Sequence, residues 1–121
     1  MKEILIVGAG SFLGGSLRYV VSRYVQQYAA AFPLGTMAVN VIGCFLIGYL
    51  SGLHLPGNVL SPATRLLLTT GFCGGFTTFS TFMNESAALG RTSDYLHLFL
   101  YLSLSLVLGF AAVLAGNWLA K

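Results

Sequence analysis

The chain has 121 residues, of which 56% are hydrophobic and only 7% are charged. A soluble domain usually has about 25% charged residues, so this composition excludes an ordinary water-soluble protein and indicates that the lipid bilayer is the solvent. The formal net charge of +3 comes from six basic and three acidic residues. These charges are spread along the chain rather than clustered, so no nucleic-acid partner is predicted.

Four apolar segments occupy almost the whole chain, and the connectors between them are short. Each segment reaches the roughly 20 residues that a helix needs to cross about 30 Å of hydrocarbon. We therefore predict an all-α membrane protein in which residues 1–121 form a single domain. Its four transmembrane helices are expected at about 4–24, 33–53, 64–89 and 95–119.

The first segment contains glycines that superficially resemble a nucleotide-binding turn. A dinucleotide-binding unit would need an acidic residue about 20 positions further on, and the region from Ser22 to Ala31 contains none. Gly10 and Gly14 instead form a pair of small residues four positions apart, which in membranes allows close helix packing. We therefore interpret this motif as a packing surface.

Arg18 lies near the end of the same segment and has two compatible interpretations. A long basic side chain can reach toward the membrane interface and anchor the helix. A positive charge at a vestibule can also concentrate an incoming anion.

The second segment contains one strongly polar side chain, Asn40. An unpaired amide in hydrocarbon costs several kcal/mol, so Asn40 must face a partner helix or a hydrated cavity. Both alternatives stay open on position alone. The ability of the amide NH2 group to donate to an anion favours the lining role.

The third segment contains the stretch Gly71 to Asn84, which is unusual for an apolar run. The adjacent glycines Gly74 and Gly75 each cost a helix interior roughly 1 kcal/mol relative to alanine, so we expect a helix break or a very close backbone contact here. A break would release carbonyls that suit a cation and amides that suit an anion. Hydroxyls and phenylalanines alternate after the glycines and indicate an ion path: Phe76, Thr77, Thr78, Phe79, Ser80, Thr81 and Phe82.

The fourth segment places Tyr101 and Ser105 one helical turn apart on the same face. Their hydroxyls can pass an anion along by hydrogen bonds, but membrane serines also often bond to their own backbone, and both interpretations stay open. Glu85, near the end of the third segment, is interpreted as structural.

The histidines and cysteines predict no metal site made of side chains. His54 and His97 lie near segment ends without carboxylate or cysteine clusters, and Cys44 and Cys73 are interpreted as small buried apolar groups.

The basic residues give no preferred orientation in the membrane. With four crossings, three lie near each face: Lys2, Arg65 and Lys121 on one, Arg18, Arg23 and Arg91 on the other. Because the excess of basic residues normally sets orientation, a balanced chain can insert both ways. We therefore predict that two copies pair in opposite orientations.

Three motifs together resemble the Fluc, or CrcB, family of fluoride channels over the whole chain. They are Gly10-x3-Gly14-Gly15-x2-Arg18-Tyr19, Gly35-Thr36-x3-Asn40-x2-Gly43 and Gly71-Phe-x-Gly-Gly-x-Thr-Thr-Phe-Ser-Thr-Phe82. The resemblance implies a dual-topology homodimer in the inner (plasma) membrane, with two pores that passively export cytoplasmic fluoride. It also implies a structural sodium ion at the dimer interface, held by the main-chain carbonyls of Gly74 and Thr77.

The same resemblance assigns roles to individual pore residues. Phe79 and Phe82 correspond to the family's pore phenylalanines, and Asn40 corresponds to its pore asparagine. The hydroxyl lining beyond the rings and the polar track on the last helix correspond to Ser80, Thr81, Tyr101 and Ser105. The sequence departs from the family at Gly109, where a further track hydroxyl is expected.

Other classes of function fit the sequence less well. A small multidrug-resistance type transporter needs a carboxylate buried in mid-membrane, whereas Glu3, Glu85 and Asp94 all lie near segment ends. A non-conducting assembly subunit would use the aromatic residues only for packing. An enzyme is not expected, because no nucleophile, base and orienting group can be placed together.

Overall fold

The computed structural model describes residues 1–53 and 60–120, and every regular element within these ranges is helical. This confirms the predicted all-α class. His54 and Lys121 lie outside the described residues. The elements are α1 (Lys2–Gln26), α2 (Leu34–Gly52), α3 (Pro62–Leu66), a π-helix (Leu67–Cys73), α4 (Gly74–Phe76), α5 (Ser80–Arg91) and α6 (Tyr95–Leu119).

Helices α1, α2 and α6 are each long and apolar enough to cross a membrane. Large apolar side chains point outward along them, including Phe12, Phe110 and Trp118, which are 71%, 69% and 71% exposed. Such a surface is unfavourable in water, whereas in lipid it requires no compensation. The fold is therefore that of a membrane protein.

The third segment is interrupted, but not at its glycine pair. Helix α4 continues through both glycines to Phe76, the backbone becomes extended at Thr77 (φ −97°, ψ 162°), and α5 begins at Ser80. Gly75 provides the close contact instead, because a Cβ atom there would lie 2.7 Å from the Ser11 carbonyl oxygen. The expected helix break is therefore present at Thr77, and the expected close backbone contact is present at Gly75.

Glycines bring α1 against the first half of the third segment. A Cβ atom on Gly10 would lie 2.8 Å from the Gly71 Cα atom, and one on Gly14 would overlap the Phe72 carbonyl. Ser11 Oγ also donates to the Gly71 carbonyl at 3.3 Å. The small-residue pair therefore acts in helix packing, as the sequence predicts.

Helices α2 and α6 approach equally closely through glycine. A Cβ atom on Gly116 would lie 2.6 Å from the Tyr49 backbone nitrogen. Gly109, where a further hydroxyl was expected, is buried, and its Cβ atom would lie 3.4 Å from Cys44 Sγ. Gly109 therefore packs against α2.

Candidate functional site

Asn40 bridges the interruption in the third segment. Its amide nitrogen donates to the Thr78 carbonyl at 2.9 Å, and its amide oxygen accepts from the Thr78 N–H at 2.8 Å. The side chain thus pairs with Thr78 as a neighbouring peptide group would. Asn40 thus contacts the third segment and is also one of the residues that line a cavity.

The Thr78 side chain bonds to the first turn of α5. Its Oγ1 accepts from the Thr81 N–H at 3.2 Å and donates to Thr81 Oγ1 at 3.1 Å. Ser80 Oγ lies 3.5 Å from the same oxygen. The sequence placed Thr78 among the hydroxyls of an ion path, but its bond to the first turn of α5 was not predicted.

These side-chain hydrogen bonds leave particular carbonyls without their helical donors. In a continuous helix the Thr78 N–H would donate to the Gly74 carbonyl, but it donates to Asn40. Similarly, the Thr81 N–H would donate to the Thr77 carbonyl, but it donates to the Thr78 hydroxyl. Gly74 and Thr77 are the two residues that sequence reasoning named as carbonyl ligands of a cation.

Arg18 lies against the same interruption. Its Nε donates to the Gly75 carbonyl at 2.9 Å, and the side chain is only partly exposed. Because Phe79 lies outside α4, that carbonyl also lacks the donor of a continuous helix. Arg18 therefore replaces a helical hydrogen bond, a contact that its position in the sequence did not indicate.

A cavity of about 700 Å³ lies beside the interruption. Of the residues named from the sequence as pore or cation-binding residues, it is lined by Asn40, Gly74, Thr77, Phe79, Phe82 and Ser105. Ser80, Thr81 and Tyr101 are not among its lining residues. The structure thus brings most, but not all, of the named residues around one space.

The two phenylalanines differ in their surroundings. Phe79 is 72% exposed, whereas Phe82 is 6% exposed and belongs to the buried core cluster with Leu89 and Tyr101. Their ring centroids lie 6.1 Å apart at an interplanar angle of 69°. Ring edges carry the positive end of the aromatic quadrupole, so an edge directed at the cavity favours an anion over a cation.

Ser105 and Tyr101 share a helix face but not an environment. Ser105 Oγ is buried, lines the cavity and has no hydrogen-bond partner in the described part of the chain. Tyr101 is fully buried, and its hydroxyl donates to Glu85 Oε1 at 2.8 Å. Ser105 can therefore donate to a ligand without first breaking another bond, whereas Tyr101 cannot.

The described residues contain no group of three or more histidine, cysteine or acidic side chains that could hold a metal ion. His97 instead pairs with Asp94, with 2.7 Å between Nδ1 and Oδ2.

Comparison with known proteins places the chain in a family. Residues 5–117 match the family model described as CrcB-like protein, Camphor Resistance (CrcB). A relative from Chlorobaculum tepidum named fluoride-specific ion channel FluC is 51% identical over 121 residues, covering 100% of this chain and 96% of the relative. Relatives of the same name from Chlorobium chlorochromatii (47% identical) and Flavobacterium psychrophilum (41% identical) cover 98% and 100% of this chain, and 95% and 98% of their own lengths.

These matches extend over the whole sequence and confirm the resemblance found in the motifs. The relatives are named as ion channels rather than enzymes, which confirms the prediction that the chain is not an enzyme. The chain belongs to the CrcB family.

Proposed function

We propose that this protein is a selective fluoride channel through which fluoride leaves the cytoplasm passively across the inner (plasma) membrane. The proposal chiefly depends on the cavity that is lined by Phe79, Phe82, Asn40 and Ser105. Within the described residues the Ser105 hydroxyl has no hydrogen-bond partner. The names of the relatives supply the identity of the ion.

The chemistry of the cavity fits a small, strongly hydrated anion. A selective path must replace the lost water with several donors, yet it must not hold the ion so tightly that conduction stops. Ring edges, an amide and a hydroxyl are neutral donors that meet both requirements. Arg65 of α3 also lines the cavity, and its guanidinium donates to the Leu50 carbonyl at 3.0 Å. Leu50 lies about three turns along α2 from Asn40, and at that end of the cavity the charge of Arg65 can raise the local anion concentration.

We further propose that two copies associate in opposite orientations and enclose two pores. The balance of basic residues between the two faces supports dual insertion. The exposure of Phe79 and of Gly74 beside the cavity supports a second copy covering this surface. A ring placed for ion contact would otherwise face lipid.

A sodium ion at the dimer interface is consistent with the same geometry. The carbonyls of Gly74 and Thr77, both deprived of helical donors, would hold it, and its charge would neutralise carbonyl dipoles from both copies. Replacing sodium by N-methylglucamine should then lower the melting temperature of the purified dimer, as well as its fluoride flux. An unchanged melting temperature would argue against a structural ion.

The channel function is tested by fluoride efflux from proteoliposomes containing the purified protein. Wild-type protein should empty the vesicles with no proton gradient. Phe79→Ile and Phe82→Ile should each slow efflux by about tenfold or more, because each removes an aromatic ring from the cavity lining. Phe110→Ile is the matched control, since Phe110 is 69% exposed on α6. Vesicles that stay sealed with wild-type protein would refute the proposal, and flux that requires a proton gradient would favour a proton-coupled transporter.

A further inference from the structure

One side chain holds the connector between α1 and α2. Gln26, the last residue of α1, donates from its amide nitrogen to the carbonyls of Ala29 at 2.8 Å and Phe32 at 2.9 Å. Its amide oxygen accepts from the Gly35 N–H at 2.9 Å. A glutamine amide has two N–H donors and one acceptor oxygen, so Gln26 uses all of these groups on one short stretch of main chain.

The connector places Phe32 against the buried core. The ring of Phe32 packs edge to face on Tyr101, with centroids 5.6 Å apart and an interplanar angle of 83°. It is one of the partly buried side chains that pack on the core cluster. Because Gln26 bonds to the carbonyl of Phe32 itself, the amide restrains the residue whose ring makes this contact.

Tyr101 in turn contacts Phe82, which lines the cavity. The two rings pack edge to face, with centroids 5.0 Å apart and an interplanar angle of 78°. Tyr101 is fully buried and its hydroxyl bonds to Glu85, so the ring has little freedom to adjust if one neighbour moves. A continuous series of contacts thus runs from Gln26 through Phe32 and Tyr101 to Phe82.

We propose that Gln26 is a positioning residue for Phe82: by fixing the connector it holds Phe32 against Tyr101, and so keeps the Phe82 ring in its place in the cavity lining. This proposal rests on the proposed channel function. Gln26 does not line the cavity, so it can act on Phe82 only through its neighbours, and Phe32 is the bonded neighbour whose ring packs on the core.

The test compares Gln26→Ala, Phe32→Leu and the double variant in fluoride efflux from proteoliposomes at low protein-to-lipid ratio. The fraction of vesicles that empties counts active protein, and the rate of emptying reports flux per channel. Gln26→Ala should slow the rate by roughly three- to tenfold with the active fraction unchanged. The double variant should be no slower than the slower single variant, because both substitutions break the same series of contacts.

Gln27→Ala is the matched control. Gln27 is the exposed neighbour of Gln26, and its variant should conduct at the wild-type rate. If Gln26→Ala yields no active protein, Gln26→Glu replaces it in the test. The glutamate keeps an acceptor for the Gly35 N–H but offers no donor to Ala29 or Phe32, so its rate should fall between those of wild type and Phe32→Leu.

Three results would overturn the proposal. The first is a wild-type rate in Gln26→Ala, or in Gln26→Glu where that variant replaces it. The second is a double variant whose slowing is the product of the two single effects. The third is a loss that is confined to the active fraction, with the rate unchanged. The last result would mean that Gln26 serves folding alone. If vesicles that contain the wild-type protein retain their fluoride, the proposed channel function is refuted, and this proposal fails with it. Failure of the channel function therefore shows in the wild type, whereas failure of the Gln26 proposal shows only in the variants.

Discussion

At the scale of single residues, polar side chains replace the hydrogen bonds that the interrupted helix loses. Asn40 pairs with both backbone groups of Thr78, Arg18 donates to the Gly75 carbonyl, and Thr78 accepts from Thr81. In hydrocarbon no water can take these places, and each buried group without a partner costs roughly 1–3 kcal/mol. The interruption therefore depends on specific side chains rather than on local flexibility.

Asn40→Ala should be strongly destabilising. It removes the partners of both the N–H and the carbonyl of Thr78, so we expect a loss of roughly 1–3 kcal/mol for each group and much slower fluoride efflux. Thermal unfolding in detergent and proteoliposome flux measure the two effects. Asn84→Ala is the control, because Asn84 is exposed on α5 and should tolerate the change. Wild-type stability and flux in Asn40→Ala would show that the bridge is dispensable.

At the scale of elements, glycines decide which helices touch. Gly14 of α1 meets the π-helix, and Gly75 of α4 meets the backbone of α1 at Ser11. The cost of placing glycine in a helix is offset by contacts between backbones that any side chain would prevent. The first half of the third segment is therefore held rigidly against α1, while the second half, α5, packs on α6 through Phe82, Leu89 and Tyr101.

Two glycines of α1 provide a matched pair of substitutions. Gly14→Ala should destabilise the protein by about 1–3 kcal/mol, because its Cβ atom would overlap the Phe72 carbonyl. Gly8→Ala should be neutral or stabilising by up to about 1 kcal/mol, since a Cβ atom on Gly8 would meet nothing within 4 Å. Thermal unfolding of both variants in the same detergent is the measurement. Equal effects at the two positions would contradict this account of α1 packing.

At the scale of the whole molecule, large apolar side chains cover much of the exterior, and one cavity is lined by Asn40, Ser105 and several threonines. That cavity is lined on one side by Phe79, a ring with 72% of its surface exposed. Exposed rings elsewhere on the molecule can face lipid, whereas Phe79 lies beside polar groups of the cavity that lipid cannot satisfy. The proposed antiparallel pair gives this surface a partner.

Fixing the orientation of every copy should therefore abolish function. Glu3→Lys adds positive charge beside the start of α1, and Ala30→Lys adds it beyond the other end, so the two variants should insert with opposite preferences. Each alone should show little fluoride flux, and co-expression of both should restore it. Cysteine labelling of the termini reports orientation. Full flux from a variant with a single orientation would contradict the antiparallel pair.

Much of this protein follows from local sequence. The apolar composition and the scarcity of charge determine the helical membrane class, because in lipid every backbone group must be satisfied within its own segment. The motif around Gly71 to Phe82 identifies the family, and the spacing of Gly10 and Gly14 predicts close packing. Each of these inferences uses residues that are neighbours along the chain or one helical turn apart.

The tertiary structure alone decides where the helix stops and what each polar group contacts. The interruption lies at Thr77 rather than at the glycine pair, because Asn40, which is 38 residues from Thr78 in sequence, supplies the hydrogen bonds that stabilise it there. Likewise, Arg18 meets a carbonyl 57 residues away, and Tyr101 meets Glu85 instead of the cavity. Such partners are chosen by packing between helices, which no local pattern of residues encodes.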